Sequence, residues 1–303
     1  MTAQVSCLIP CYHRAKMLRA ALERLHDPRI ELVVVNAERD PDVAEAVASV
    51  AGAIEVPRDG SGFAAGVNAG MAHVTTEYVV CMNDDILIDP DAVLALTDPL
   101  AGGLADATVP AIATPNGELE PTIRALPTPG LLFREWFLFP ERRVGALARA
   151  VHVEKWRRPA ATEPIEAAGT PVIATTSALL RELPLPEDYF LNWDEMEWFW
   201  LLRERGKRVL YLPGIQAVHL GGGQQEISAF RSRLLTQNAV RFVRRTQGPS
   251  AARRAFAVMA LYNLRLVVVA LLRRAVRGAG HAQTLHARVE GLKAVTESWR
   301  ETK

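Results

Sequence analysis

Tyr78-Val79-Val80-Cys81-Met82-Asn83-Asp84-Asp85 is a short apolar run that ends abruptly in an amide and two carboxylates. Consecutive apolar β-formers read as a strand buried on both faces. The acids then fall at the carboxyl end of that strand, where open α/β sheets gather their ligands. Two adjacent carboxylates repel each other, and a site that keeps both ionised usually supplies a cation. The stretch therefore points to a divalent-metal site at the edge of a parallel sheet. A solvated strand-to-turn junction is the alternative, because Asp and Asn favour turns.

Toward the N-terminus, residues 4–9 read as a strand stopped by Pro10, and Ala15 to Leu25 has helical apolar spacing at Met17, Leu18, Ala21, Leu22 and Leu25. Ile30 to Val35 is a second buried strand, Asp40-Pro41 opens a helix reaching Val50, and Ala53 to Val56 is a third strand. This alternation predicts an α/β fold with a doubly wound, mostly parallel sheet. Between the third strand and Tyr78 lies a Gly-rich loop, Arg58-Asp59-Gly60-Ser61-Gly62-Phe63-Ala64-Ala65-Gly66-Val67-Asn68-Ala69-Gly70. Such a loop entering a helix suits a phosphate, although it lacks the Gly-Lys-Ser/Thr of a Walker loop and turn chemistry alone explains many like it.

Toward the C-terminus, Asp89-Pro90 opens a helix through about Leu96, and Thr108 to Ala113 reads as a strand in the otherwise irregular stretch Ala101 to Arg124. Thr128 to Arg158 mixes Phe133, Trp136, Phe137, Phe139 and Trp156 with arginines, which fits an acceptor-lining segment or an amphipathic helix on the core. Glu166 to Leu180 reads as a strand entering a helix. Asn192-Trp193-Asp194-Glu195-Met196-Glu197-Trp198 opens another helix, with its acids in the first turn, where the macrodipole favours them whether or not they do chemistry. Arg208 to Leu212 is a strand closed by Pro213-Gly214, and Ile215 to Leu220 carries His219 ahead of Gly221-Gly222-Gly223, glycines that would let backbone approach a ligand.

At 303 residues with 49% hydrophobic content, the chain fits a soluble globular protein of one large domain plus an extension, or of two small domains. Its charge is unevenly placed: from Glu226 to Lys303 there are 15 Lys and Arg against 4 Asp and Glu, and residues 1–225 carry 20 against 30. Three basic helices are read there, over Ser228 to Arg245, Ser250 to Gly278 and Ala282 to Arg300, with Leu261, Leu264, Val268 and Leu272 at apolar positions of the second. Basic amphipathic helices suit an anionic membrane surface, a dimer surface or plain solvation. The most apolar stretch, Leu264 to Leu272, is interrupted by Arg265 and reads as too short to span a bilayer. Cys7, Cys11 and Cys81 form no disulfide framework or zinc spacing, which implies a reducing compartment, and no signal peptide is read at the N-terminus.

Taken in order, Val5 to Arg14, the Gly62–Gly70 loop, Asn83-Asp84-Asp85, Trp193-Asp194-Glu195-Met196-Glu197 and Val218-His219-Leu220-Gly221-Gly222-Gly223 resemble the motifs of family 2 glycosyltransferases. These are inverting enzymes of the GT-A (Rossmann-like) fold. The resemblance covers roughly residues 4–245 and looks closest to bacterial rhamnosyltransferases and galactofuranosyltransferases of cell-envelope polysaccharide biosynthesis. It implies a GT-A catalytic domain over residues 1–225 and a basic helical extension over 226–303. Asp85 matches the direct ligand of Mg²⁺ or Mn²⁺, and His219 the histidine that joins the metal or diphosphate. Glu195 matches the catalytic base, with Asp194 beside it as a rival and Glu197 one turn on.

Donor contacts fall on Pro10, Tyr12, Asn36, Arg58, Phe63, Asn68, Asn83 and Asp84, and acceptor contacts on Trp193, Glu197 and Trp198. Where the family usually has Asp-Asn-Gly-Ser, this chain has Asn36-Ala37-Glu38-Arg39-Asp40, which leaves the nucleobase open between UDP and dTDP. The implied partners are a dTDP- or UDP-linked sugar and a glycan or lipid-linked acceptor, with no nucleic acid. Association with the inner face of the cell membrane and a homodimer through the C-terminal helices are both open, in a cytoplasmic setting. The chemistry needs one carboxylate to take the acceptor proton, for which a glutamate of ordinary pKa suffices. The alternatives are a nucleotidyltransferase, whose Gly-rich signature near the first strand is missing, and a non-catalytic scaffold of a polysaccharide-assembly complex.

Overall fold

The computed structural model describes residues 3–60, 62–138, 157–189, 193–221, 229–277, 286, 289–294 and 297. The first half alternates strand and helix: β1 (Val5–Cys11), α1 (Ala15–Leu25), β2 (Ile30–Ala37), α2 (Pro41–Ala48), β3 (Ile54–Arg58), α3 (Phe63–Gly70) and β4 (Tyr78–Met82). β5 (Ile86–Leu87), α4 (Pro90–Ala101), β6 (Ala107–Ala113) and β7 (Ile123–Arg124) follow. α5 (Pro129–Leu132) continues into a π-helical turn over Phe133–Leu138. Beyond it come β8 (Glu163–Pro164), β9 (Ala167–Ala168), β10 (Val172–Thr176), α6 (Ser177–Glu182), α7 (Asp194–Glu204), β11 (Val209–His219), α8 (Ala229–Gln247) and α9 (Pro249–Arg277).

The strands form one sheet in the order β3-β2-β1-β4-β10-β6-β11-β5, with β8 also on β11, while β7 and β9 pair separately. β3, β2, β1 and β4 are mutually parallel, β10 is antiparallel to both β4 and β6, and β6 is parallel to β11. Six of the nine strands therefore run one way, with β10, β5 and β8 against them. This is the mostly parallel, helix-flanked sheet of the expected GT-A type. Pro213-Gly214 does not end a strand as expected. The ladder with β6 shifts register between Leu212 and Gln216, so a bulge absorbs the Pro-Gly pair and β11 continues to His219.

Local chemistry explains why the elements start where they do. Asp40 caps α2 by accepting the N–H groups of Asp42 and Val43, with Pro41 in the first turn. α3 opens at Gly62, whose φ of +118° disfavours any side chain. Gly66 and Gly70 lie on one face of α3, four residues apart. A Cβ at Gly66 would meet Pro10 Cβ at 2.7 Å, and one at Gly70 would meet Val35 Cγ2 at 2.8 Å. Those two glycines therefore seat α3 on β1 and β2, a packing role and not a phosphate contact. Leu18, Leu22, Leu25, Val43 and Val47 close the core against Cys7, Ile9, Leu32 and Val34. All three cysteines are free and buried.

Two compact units interleave along the chain. The first holds residues 1–125, 157–190 and 194–223, and the second residues 126–156, 191–193 and 224–303. Residues 126–156 and 191–193 group with the C-terminal helices in the second unit. In the second unit, Trp136 packs on Trp193 and Tyr262, and Trp193 on Phe242. The Asn263 amide of α9 donates to Thr236 Oγ1 of α8 at 3.2 Å. Phe139 and Trp156 lie outside the described residues, as do Asn192, Gly222 and Gly223.

One helix among the described residues is long and apolar enough to cross a membrane by length and composition. The span Pro249–Leu272 contains a window of mean hydropathy 2.1. This corrects the reading of Leu264 to Leu272 as an isolated short run: Asn263 and Arg265 interrupt the apolar pattern locally without breaking the helix.

Candidate active site

β4 delivers Asn83, Asp84 and Asp85 at the carboxyl end of the parallel strands, and β5 leaves immediately to pair with the end of β11. In that ladder His219 lies opposite Ile86, and the Leu220 N–H donates to the Asp85 carbonyl at 2.8 Å. Two motifs distant in sequence thereby converge, with His219 Nε2 at 3.4 Å from Asp85 Oδ1. A tight turn at the end of β6 returns Glu120 to the same place, 3.2 Å from His219 Nδ1. The Arg14 guanidinium, at the entry to α1, donates to Asp85 Oδ2 and lies 3.4 Å from Asp84 Oδ1.

The ionisation of this cluster follows from its contacts. Asp85 is only 2% exposed, and burial alone would raise its pKa, but His219 and Arg14 outweigh burial and hold it below the usual aspartate value. Burial likewise disfavours the His219 imidazolium, and Asp85 and Glu120 outweigh it and raise that pKa. Asp84 is pushed up by burial, despite the Tyr12 N–H and the Cys11 thiol that bond to it. Asp85 Oδ1 is buried and no hydrogen bond of good geometry reaches it. The Gly221 backbone sits so close to Asp85 that any Cβ there would collide with Oδ2. The space expected at this glycine is filled by the carboxylate itself.

A second acidic pair opens α7. Asp194 is buried and accepts backbone N–H groups from Asp194, Glu195 and Ala64, the last from the first turn of α3. Glu195 is half-buried. Its pKa is pushed well above the ordinary glutamate value, by burial first and then by the charge of Asp194 and a hydrogen bond to it, with Arg124 opposing. Burial raises Asp194 as well. An ordinary glutamate pKa was the expectation, and the buried like-charge neighbour replaces it with a raised one. Trp193, immediately before Asp194, holds a φ of +79°, a backbone conformation costly for a bulky side chain.

Other residues expected at the site are engaged elsewhere. Asn36 is buried, its amide donating to the Asp40 carbonyl and Glu55 and its oxygen accepting the Asp40 N–H, so it organises its own turn. Asn68 is bound at both ends, to the Leu185 backbone and Glu187, and pins the 185–187 loop. Trp198 is a core residue whose indole N–H donates to the Leu183 carbonyl, and Glu197 is buried against the Tyr189 hydroxyl. Trp193 is buried among aromatic rings of the second unit.

Tyr12 is exposed, its ring tilted against that of His13, and Phe63 and Asn83 are half-buried. Pro10 packs under Gly66, and Arg58 reaches the Gly60 carbonyl of its own loop at 2.8 Å. Glu120 and Arg124 carry no sequence signature that points to the site, because sheet topology brings them in from distant segments; Arg14 closes the Val5–Arg14 motif without having been singled out as a site residue.

Among the described residues, no group of three or more His, Cys, Asp or Glu side chains is arranged to hold a metal ion. Asp85 and His219 are two donors, one of them with an unsatisfied buried oxygen. Hard divalent cations often take one or two protein ligands and complete their shell with substrate phosphates and water, and this donor pair fits that pattern.

Residues 6–154 match the family described as Glycosyl transferase family 2. No curated protein sequence matches the chain. Among solved structures, the chain is similar to TarS residues 1–349 from S. aureus, with 14% identity over 99% of this chain and 92% of that one and a TM-score of 0.49. The family match covers just under half of the chain and supports a glycosyltransferase-type domain there.

Proposed function

We propose that this protein is an inverting glycosyltransferase that moves a sugar of the rhamnose or galactofuranose type from a UDP- or dTDP-linked donor to a hydroxyl of a glycan or glycolipid. The observation that carries this reading is the pairing of two differently tuned acidic sites in one unit. Asp85 is held as an anion beside His219 and Arg14, and Glu195 is held toward its protonated form at the start of α7.

The donor diphosphate is read at the first site. Asp85 and His219 would hold Mg²⁺ or Mn²⁺, which when bound stabilises charge developing on the leaving diphosphate. Arg14, now bridging Asp84 and Asp85, supplies positive charge to the same place.

Glu195 is the proton acceptor for the attacking hydroxyl. A raised carboxylate pKa lies closer to working pH and makes a better base than an ordinary one. Backbone bonding separates Glu195 from Asp194: Asp194 accepts three backbone N–H groups, one of them from Ala64 of α3, whereas Glu195 accepts its own. As the acceptor oxygen bonds to the anomeric carbon on one face, the bond to the diphosphate oxygen breaks on the other. The hydroxyl proton goes to Glu195, and the nucleoside diphosphate leaves. Ala64 N–H ties Asp194 to the first turn of α3, which fixes the start of α7 relative to the Arg58–Gly62 loop.

The test is nucleoside diphosphate release from a panel of UDP- and dTDP-linked sugars, with a lipid-linked glycan acceptor and with Mg²⁺, Mn²⁺ or chelator. Acceptor-dependent release that needs the cation supports the reading. Pyrophosphate release from a sugar phosphate and a nucleoside triphosphate, with no transfer from any sugar nucleotide, overturns it.

A further inference from the structure

α9 presents two opposed faces. Ala252, Ala255, Met259, Asn263 and Ala270 are buried on one, and Asn263 is hydrogen-bonded to Thr236 of α8. Leu261, Leu264, Val268, Leu271 and Leu272 are 46–62% exposed. At 3.6 residues per turn these five fall within an arc of about 100° opposite the buried face, in a stripe about 16 Å long. Arg253 and Arg254 are exposed, fall at the two edges of the same arc and precede the stripe by about two turns. Arg273, Arg274 and Arg277 follow it in sequence, and residues 227–289 contain 12 Arg and no Asp, Glu or Lys.

We infer that this face of α9 docks on an anionic membrane surface. The stripe lies in the interface plane, and the arginines meet lipid phosphates. An apolar stripe on a half-buried helix is costly in water, and its surroundings select what covers it. A second copy of the chain fits poorly, because the two arginines that edge the stripe, with no carboxylate between residues 227 and 289, would meet their own like charge. Anionic headgroups supply the missing countercharge, and the leucines enter the headgroup–acyl boundary, as in interfacial amphipathic helices. A spanning helix would bury Arg265 within the apolar run and pull Asn263 from its partner on α8, both unfavourable in hydrocarbon. This docking is independent of the transfer chemistry and is measured without it.

The experiment is co-sedimentation of the full chain with vesicles of phosphatidylcholine alone or mixed with phosphatidylglycerol. Binding is expected only to the anionic vesicles and weakens as salt rises. Replacing Arg253 and Arg254 with Ser weakens it by about fivefold per arginine. Leu264→Glu combined with Val268→Glu abolishes it while the circular dichroism and melting midpoint stay unchanged, since both positions are exposed. Leu264→Gln is the milder variant if the double one melts early. Binding that survives these substitutions, or is equal on neutral vesicles, overturns the proposal. So does retention in the membrane after an alkaline carbonate wash, which means a span, or a lipid-free dimer that Leu264→Glu dissociates, which means a second copy covers the stripe.

Discussion

Replacing Gly221 with alanine tests how tightly Asp85 is held. A Cβ at position 221 would lie well inside 3.0 Å of Asp85 Oδ2, 3.2 Å from its Cγ and 3.6 Å from Arg14 Nη1. Asp85 is 2% exposed, and its carbonyl is fixed by the Leu220 N–H, so neither partner can swing away like the tip of a long side chain. The carboxylate must retreat by about 1 Å, and misplacing a positioned group by that much costs on the order of 10²-fold. This corresponds to about 2.7 kcal/mol of transition-state stabilisation. Overpacking lowers folding stability by a further ~1–3 kcal/mol.

Gly214→Ala is the control, since a Cβ there meets nothing within 4 Å and the backbone is not left-handed. Both variants are assayed for transfer and, by calorimetry, for nucleoside diphosphate binding with and without Mn²⁺. Gly221→Ala should lose about hundredfold in kcat/KM and most of its cation-dependent binding, and Gly214→Ala should match the parent. If Gly221→Ala also matches the parent in both assays, the Asp85 carboxylate is not held where its chemistry depends on it.

Glu195→Gln should abolish turnover, spare donor binding and raise the melting midpoint near pH 7. The folded state holds the Glu195 proton to a higher pH than the unfolded chain. Stability therefore falls as pH rises from the ordinary glutamate value through the folded one, and a neutral Gln removes that loss; an unchanged midpoint with full activity would remove Glu195 from the role. Asp194→Asn should move the acid limb of the kcat/KM profile to lower pH, because one cause of the raised Glu195 pKa is the Asp194 charge, and an unmoved limb would separate the two groups. Trp198→Phe should cost about 1–2 kcal/mol of stability through the unpaired Leu183 carbonyl, with acceptor KM unchanged; a raised acceptor KM in a normally stable variant would restore the acceptor role. Gly70→Ala should destabilise by about 1–3 kcal/mol through Leu8 and Val35, read by chemical denaturation, and a neutral result would mean that α3 is not seated by that glycine.

The parallel half of the sheet was legible because its strands are runs such as Leu32 to Val35 and its helices open on signals such as Asp40-Pro41, both local properties. The acidic end of β4 was legible for the same reason. Strand β10 was legible as a strand but not as an antiparallel insertion between β4 and β6, since pairing Val172 with Met82 joins segments 90 residues apart. Glu120 was missed at the site because it arrives by topology, on a turn after β6, and Arg14 closes the Val5–Arg14 motif without having been singled out as a site residue. Asn36 and Asn68 were read as donor contacts because an amide in a loop suits either a ligand or its own backbone. The protein partners they find, Asp40, Glu55, Leu185 and Glu187, lie up to 119 residues away in sequence.

The opposite tuning of the two acidic sites has a single physical origin. Both place paired carboxylates out of water, where ionisation is disfavoured until something compensates it. At Asp85 the compensation is positive: the Arg14 guanidinium and the His219 imidazole keep the carboxylate charged. At Glu195 the nearest charge is Asp194, which repels, and Arg124 offsets only part of it. Two carboxylates driven apart in pKa by their surroundings are suited to different tasks, one as a permanent anion for a cation and the other as a group that can take and hold a proton. Exchanging the surroundings should exchange the tasks, and removing Arg14 is the direct way to begin. In Arg14→Gln the largest positive charge near Asp84 and Asp85 is gone, so their first proton should be released at higher pH than in the parent, as followed by carboxylate infrared difference bands. Bands that do not move would mean that Arg14 is a bystander, and that His219 alone sets the charge of the cluster.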